Sequence, residues 1–221
     1  MTNIIYCWLK YGIVFIDNDL RVKENDSMKE EIEVKRKVYT VVEQIGEHSY
    51  KVERKGSFFF LKKFENESEK FEAFCDAEHH LRVSGVTNPK CYIYDKKARI
   101  AVVDYIEGET VLEMLAKDDL PEEILDQLFK TFWYARTDRF GLNYAPENFK
   151  YSNGKLYYLP FIVGEYAGKE AFLQKDIRLW FFTKEFIKHC FDQGIKIDEK
   201  RLKSDYELNK TITLAAVKLY R

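Results

Sequence analysis

The sequence predicts an α+β protein: a small antiparallel sheet with one inserted helix, followed by a helical half carrying one short hairpin. Three observations point to it. β-branched and aromatic runs, separated by turn residues, fill the first half. Helical periodicity dominates the second half. Within that half, Asn153-Gly154 separates two short apolar runs, a strong signal for a two-residue hairpin loop.

The strands are expected at Val38 to Gln44, Tyr50 to Glu53, Phe58 to Phe64, Tyr92 to Tyr94 and Arg99 to Tyr105, with Gly46 and Gly56 marking turns between the first three. A helix interrupts them from Glu67 to Val83. Later helices are expected at Thr110 to Lys117, Pro121 to Arg139, Gln174 to Gln193 and Asp198 to Tyr220. Pro121 suits a helix start, and Glu122 and Glu123 favour its positive end. The hairpin strands are Phe149 to Tyr151 and Leu156 to Leu159.

Composition bounds the function. The 221 residues suit one domain, or one built from two lobes. Apolar residues make up 46% and aromatics 16%, enough to bury a sizeable core. The net charge of −1 gives none of the basic surplus expected of a general nucleic-acid binder. Lysines 196, 200, 203, 210 and 218 are interleaved with acids and read as a solvated helical face. Cys7, Cys75, Cys91 and Cys190 form no C-x-x-C pair, which argues against zinc and fits a reducing cytoplasm. No apolar run reaches the ~20 residues of a membrane span. The apolar stretch Ile4 to Ile16 is interrupted by Lys10 and makes a poor signal peptide. Residues 1–37 are read as an N-terminal extension, in which either residues 1–27 are dispensable and Met28 is the natural start, or an extra strand or hairpin is present.

Candidate functional residues begin with a lysine and a glutamate. Lys62 ends an apolar strand, with Lys63 on the alternate face. Downstream, Phe71, Phe74 and Cys75 lie at i, i+3 and i+4, and Glu78 and Leu81 continue their stripe. A carboxylate on an apolar stripe is costly unless paired. Lys62 is its natural partner, and the alternative is that Glu78 sits at the stripe's edge and bends to water.

A second constellation is Gly141-Leu142-Asn143-Tyr144-Ala145-Pro146-Glu147-Asn148-Phe149, followed by the hairpin and by Leu159-Pro160-Phe161. It resembles the protein kinase superfamily run D-x-x-P-x-N, hairpin, D-F. Phe59-Phe60-Leu61-Lys62 resembles the V-A-I-K strand, and Glu78-x-x-Leu81 the helix with the paired glutamate. Ala101 to Gly108 resembles the strand that ends in a gatekeeper and hinge. Ile45 to Tyr50 stands where the phosphate-covering glycine loop would be. Asp176-Ile177-Arg178-Leu179-Trp180 resembles the helix whose aspartate braces the catalytic loop, although Asp176 also suits a helix cap. The pattern is that of short bacterial Ser/Thr kinase-like proteins.

The resemblance implies a two-lobed kinase-like fold, with residues 38–106 as N-lobe and 107–221 as a reduced C-lobe. It implies that Lys62 would hold phosphates, that Val103 is the gatekeeper and that Asp104 to Ile106 read an adenine edge. Departures from the pattern are concentrated at the chemistry. Only Gly46 of the loop glycines remains, and glycines are what let backbone amides approach phosphates. Phe60 replaces a small alanine. Asn143 replaces the catalytic aspartate, and an amide cannot accept a proton at neutral pH. Pro160 replaces the main metal-binding aspartate, leaving Asn148 as a weak neutral ligand. Glu165 and Asp138 are the carboxylates that could substitute. The expectation is a pseudokinase, a cytoplasmic binding or regulatory protein with a protein partner and no membrane or nucleic acid. Any cofactor would be ATP or ADP, with magnesium poorly held. The alternative is a weak ATP-dependent phosphotransferase acting on protein or small-molecule hydroxyls.

Overall fold

A computed structural model describes residues 30–65 and 67–197. Most of the N-terminal stretch, with Met28 and Cys7, and the expected helix Asp198 to Tyr220 with its lysines lie outside the described residues. The architecture is mixed α/β, with a six-stranded antiparallel sheet and five helices among the described residues. Contacts divide it into two units. One runs up to His79 and takes up Pro89–Ile106; the other holds His80–Asn88 and the described residues from Glu107 onward.

The first unit is the sheet, in the order β1 (Glu31–Val34), β2 (Lys37–Gly46), β3 (Ser49–Arg54), β4 (Ser57–Lys63), β6 (Ile100–Asp104), β5 (Cys91–Asp95). It has one strand more than the five placed from the sequence, in keeping with the extra-strand reading of residues 1–37. β1 falls inside the stretch read as an extension and pairs with β2 from Glu31↔Thr40 to Val34↔Lys37. Its alternation is complete, with Ile32 and Val34 buried and Glu31 and Glu33 exposed.

β4 shows how alternation builds two layers. Leu61 points to a cluster of Ile32, Val34, Tyr39, Val52, Ile93, Ile100 and Val102, against which Phe59 packs. The alternate residues, Phe60 and Lys62, share their cross-strand rows with Lys51 and Val103, and with Ser49 and Ala101. α1 (Ser68–Ser84) follows β4, and Phe64 meets its Phe71 and Phe74 rings at 5.4 and 5.5 Å. The stripe read from the sequence is the buried one, since Phe71, Phe74, Glu78 and Leu81 are all buried. Each fully buried phenylalanine or leucine here is worth about 1.5–3 kcal/mol.

The second unit contains α2 (Val111–Lys117), α3 (Glu123–Thr137), β7 (Phe140–Gly141), β8 (Phe149–Ser152), β9 (Lys155–Tyr158), β10 (Gly164–Glu165), α4 (Lys169–Gln174) and α5 (Lys184–Asp192). Thr110 and Glu113 close a capping box at the start of α2, satisfying two otherwise orphaned amides. The β8–β9 hairpin turns at Asn153-Gly154, both at positive φ (50° and 73°), as a two-residue turn of this hand requires. α3 holds the hairpin through Gln127, which donates to Gly154 O (3.1 Å) and accepts from Leu156 N–H (2.8 Å).

The expected single helix Gln174 to Gln193 is broken. Its first part is a 3-10 turn, Asp176–Trp180. Phe181 is extended (φ −130°, ψ 158°), and Thr183 starts α5 by accepting from Phe186 N–H. Trp180, Phe181 and Phe182 are consecutive and all buried, which a continuous helix with one buried stripe would not allow.

Candidate functional site

The expected site residues fall in both units. In the first unit the glycine-loop position is a tight two-residue turn. Gly46 pairs directly with Ser49, and the positive φ belongs to His48 (59°), not to a glycine. A Cβ added at Gly46 would make only an ordinary 3.9 Å contact with Ser49. The turn is lined by acids: His48 Nε2 lies 3.7 Å from Glu47 and its Nδ1 3.6 Å from Glu65. Carboxylates here oppose a phosphate electrostatically.

Lys62 is half-buried, and burial lowers its pKa, partly offset by Glu67. Its Nζ lies 5.2 Å from the Phe64 ring centroid. Glu67 lies directly before α1, and its carboxylate pairs with Lys70 Nζ at 2.5 Å. Glu78 is buried further along, and its charge adds to the rise of two thiols. Burial, then Glu78, pushes Cys91 up to about 12.

Phe60 is buried at 4% exposure beside Val103, so it fills its own surroundings. Lys51, its neighbour on β3, lies between two rings, with Nζ 4.4 Å from the Tyr105 centroid and 4.7 Å from that of Phe58. Asp104 accepts from Lys90 N–H (3.2 Å) and from the Tyr92 hydroxyl, whose pKa is raised by that bond. Its own N–H donates to Lys90 O (3.0 Å). Asp104 is therefore engaged in holding the start of β5. Ile106 is half-buried at the end of this unit.

In the second unit the structure brings Asn143, Asn148 and Pro160 into one hydrogen-bonded loop and hairpin. Asn143 is exposed, yet its Oδ1 accepts from Ala145 N–H (3.1 Å), turning the amide back onto its own loop. Asn148 is buried, and its Nδ2 donates to Asn143 O (3.2 Å). Asn148 O accepts from Leu159 N–H (2.9 Å), which ties the loop to the hairpin exit. Pro160 is buried there and offers no side-chain oxygen. Glu165 and Asp138 are exposed, and Glu165 is fixed in β10 opposite Phe140.

Three further residues organise this loop, and none was singled out as functional from the sequence. Tyr158 is almost fully buried, and its hydroxyl accepts from Asn143 N–H (3.4 Å) and donates to Ile162 O (3.1 Å). Burial raises its pKa. Trp180 Nε1 donates to Tyr144 O (2.7 Å). That indole provides the brace expected of Asp176, whose carboxyl is raised by burial instead. His189 of α5 meets Glu147 of the loop at 2.8 Å. A sequence signal for these contacts is lacking, because each joins residues far apart in the chain.

The Glu147 hydrogen bond raises the His189 pKa above its ordinary value. Stability from this contact is fully present below the unfolded value of about 6.5 and is lost as pH rises through the folded value. Urea midpoints measured from pH 6 to 9 are therefore expected to fall with rising pH in the native chain, and to fall less in His189→Gln. Equal slopes in both chains would show that the contact adds nothing.

The fold and loop define an α+β protein whose second unit presents a self-bonded Asn-x-x-Pro-x-Asn loop ahead of a hairpin. No protein-family model and no curated sequence matches the chain. Among solved structures it is similar to choline kinase LicA from Streptococcus pneumoniae, at 14% identity over 81% of this chain and 83% of that one, with a TM-score of 0.38. It is also similar to LicA in complex with AMP, at 13% identity over 87% and 93%, with a TM-score of 0.37. At such scores the likeness carries nothing about what this chain binds or does. Among the described residues, no helix is long and apolar enough to cross a membrane, and no cluster of His, Cys, Asp or Glu could hold a metal ion.

Proposed function

We propose that the chain is a pseudokinase: a kinase-like protein that binds and regulates a protein partner without transferring phosphate. The observation that carries this reading is the state of the two asparagines. Asn143 Oδ1 is turned onto Ala145 N–H, and Asn148 Nδ2 onto Asn143 O. Neither amide can act as a general base, and the loop's own carboxylate, Glu147, faces His189. The acid-lined turn at His48 and the buried Phe60 support the same reading from the first unit. The free thiols of Cys75 and Cys91 fit a cytoplasmic setting.

The test is a thermal-shift titration with ATP and ADP, with and without magnesium or manganese. A ligand at a hundred times its Kd adds about 2.7 kcal/mol, a rise of several degrees. The expected result is no metal-dependent rise. The double variant Asn143→Asp, Pro160→Asp is likewise expected to transfer no phosphate, since the turn and Phe60 are unchanged. A metal-dependent rise, with phosphoryl transfer abolished by Lys62→Ala, would replace this reading with the weak phosphotransferase.

A further inference from the structure

We propose that two neighbouring hairpin turns of the first unit, Lys35-Arg36 and Lys55-Gly56, form the docking site for a short acidic segment of a partner protein. The proposal rests on the protein-partner half of the reading above, and holds whether or not phosphate is transferred.

Both turns are two-residue connections. Val34 pairs with Lys37 across the first, and Arg54 with Ser57 across the second. All four turn residues have positive φ: Lys35 49°, Arg36 64°, Lys55 54° and Gly56 77°. Such turns favour Asn-Gly, because a side chain crowds the backbone in that conformation. The hairpin at Asn153-Gly154 follows this rule at nearly the same angles, 50° and 73°. In the first unit, Lys35, Arg36 and Lys55 put long cationic side chains at such positions instead. They strain the turns they occupy, so turn formation does not account for them.

They also repel one another. β2 lies between β1 and β3, and Thr40 pairs with Glu53, which sets the two turns side by side at one end of the sheet. The Arg54 guanidinium lies 5.8 Å from the Tyr39 ring centroid, one pair nearer that end. Lys35, Arg36, Lys37 and Lys55 are exposed, and Arg54 is half-buried. Neighbouring like charges destabilise a sheet. The nearby acids offset them little. Glu53 accepts from Gly56 N–H (2.6 Å), and Glu33 stands exposed on β1. The Asp95 pKa is lowered first by Ala98 N–H, then by Lys97 N–H and Lys35. Among the described residues, none of these five cations is in a salt bridge.

The same end presents apolar side chains. Thr40, Glu53 and Phe58 form one cross-strand row, so Phe58 shares a face with Val38, two residues before Thr40. Both are exposed, and Lys51 adds a further cation over the Phe58 ring. Charge complementarity therefore selects an occupant with carboxylates and an apolar side chain between them. The turns are two strand spacings apart, roughly 10 Å, which matches about three extended residues. A long nucleic acid fits less well, because the chain carries a net charge of −1 and its acids elsewhere repel a polyanion.

The experiment uses the full chain and the peptide Glu-Glu-Glu-Trp-Glu-Glu-Glu with a fluorescent label, read by anisotropy. The expected result is saturable binding that weakens with added salt. The variant Lys35→Asn, Arg36→Gly, Lys55→Asn gives both turns their favoured residues. It is expected to weaken binding about tenfold or more while the urea midpoint rises. Lys37→Gln lies outside both turns and is expected to weaken binding about threefold with the midpoint unchanged. A midpoint that falls in the triple variant would show that the cations serve the fold, and would overturn the proposal. Peptide binding that is absent from the native chain, or that survives both substitutions, would do the same. An oligodeoxythymidine bound by the native chain as tightly as the peptide would assign the turns to nucleic acid instead. Each of these outcomes leaves the pseudokinase reading to its own nucleotide titration.

Discussion

Replacing Trp180 with alanine is expected to cost about 3–5 kcal/mol, the largest single effect among these residues. The indole is 1% exposed and makes two different contributions. Its ring meets Phe149 edge-on at 5.1 Å and 72°, and its Nε1–H donates to Tyr144 O at 2.7 Å. Alanine removes both and leaves a cavity beneath the Asn143 loop. Trp180→Phe separates them, because it keeps most of the apolar area and deprives the Tyr144 carbonyl of its indole donor. That variant is expected to cost about 1–3 kcal/mol. Urea denaturation measures both. Against a total stability of ~5–15 kcal/mol, the alanine variant would leave little margin. If alanine costs no more than phenylalanine, the ring packing is not what holds the loop. If phenylalanine costs nothing, the hydrogen bond is replaced by water, and the brace is one of packing alone.

The local parts of this arrangement were legible in the sequence. The apolar stripe of α1 was legible because helical period and side-chain type agree at Phe71, Phe74 and Leu81, while Glu78 had two readings, of which burial is the one found. Asn153-Gly154 announced its turn, because few residue pairs tolerate two positive φ angles. Failures came where one pattern served two structures. Trp180-Phe181-Phe182 extends an apolar periodic run, so it reads as helix interior until tertiary burial of all three forces the chain open. In β1 the alternation covers just four residues at the edge of a charged stretch, too short to stand out. The contacts that shape the loop, Trp180 to Tyr144 and His189 to Glu147, join residues 36 and 42 apart. No local rule connects positions at that distance.

Gly141 belongs to the same loop and carries the second large effect. The sequence shows a glycine two residues before Asn143 and gives no reason for it, since its φ is not positive. The reason is β10. Gly141 pairs with Gly164, and a Cβ at Gly141 would lie 2.3 Å from Glu165 O and 3.0 Å from Glu165 C. Those are backbone atoms, which cannot rotate away as a side-chain end can. Gly141→Ala therefore has to separate β7 from β10, and is expected to cost about 1–3 kcal/mol or more. The opposite partner is the control: a Cβ at Gly164 would meet nothing within 4 Å, so Gly164→Ala should stay within about 1 kcal/mol of the native chain. The two substitutions have the same chemistry in the same strand pair and differ only in what stands beside the new methyl group. Equal costs would mean that the close approach of Glu165 is not a constraint on the fold. A large difference, read as urea midpoints together with faster exchange at Asn143 and Ala145, would show that the segment after the hairpin fixes the Asn143 loop through backbone contact at Gly141.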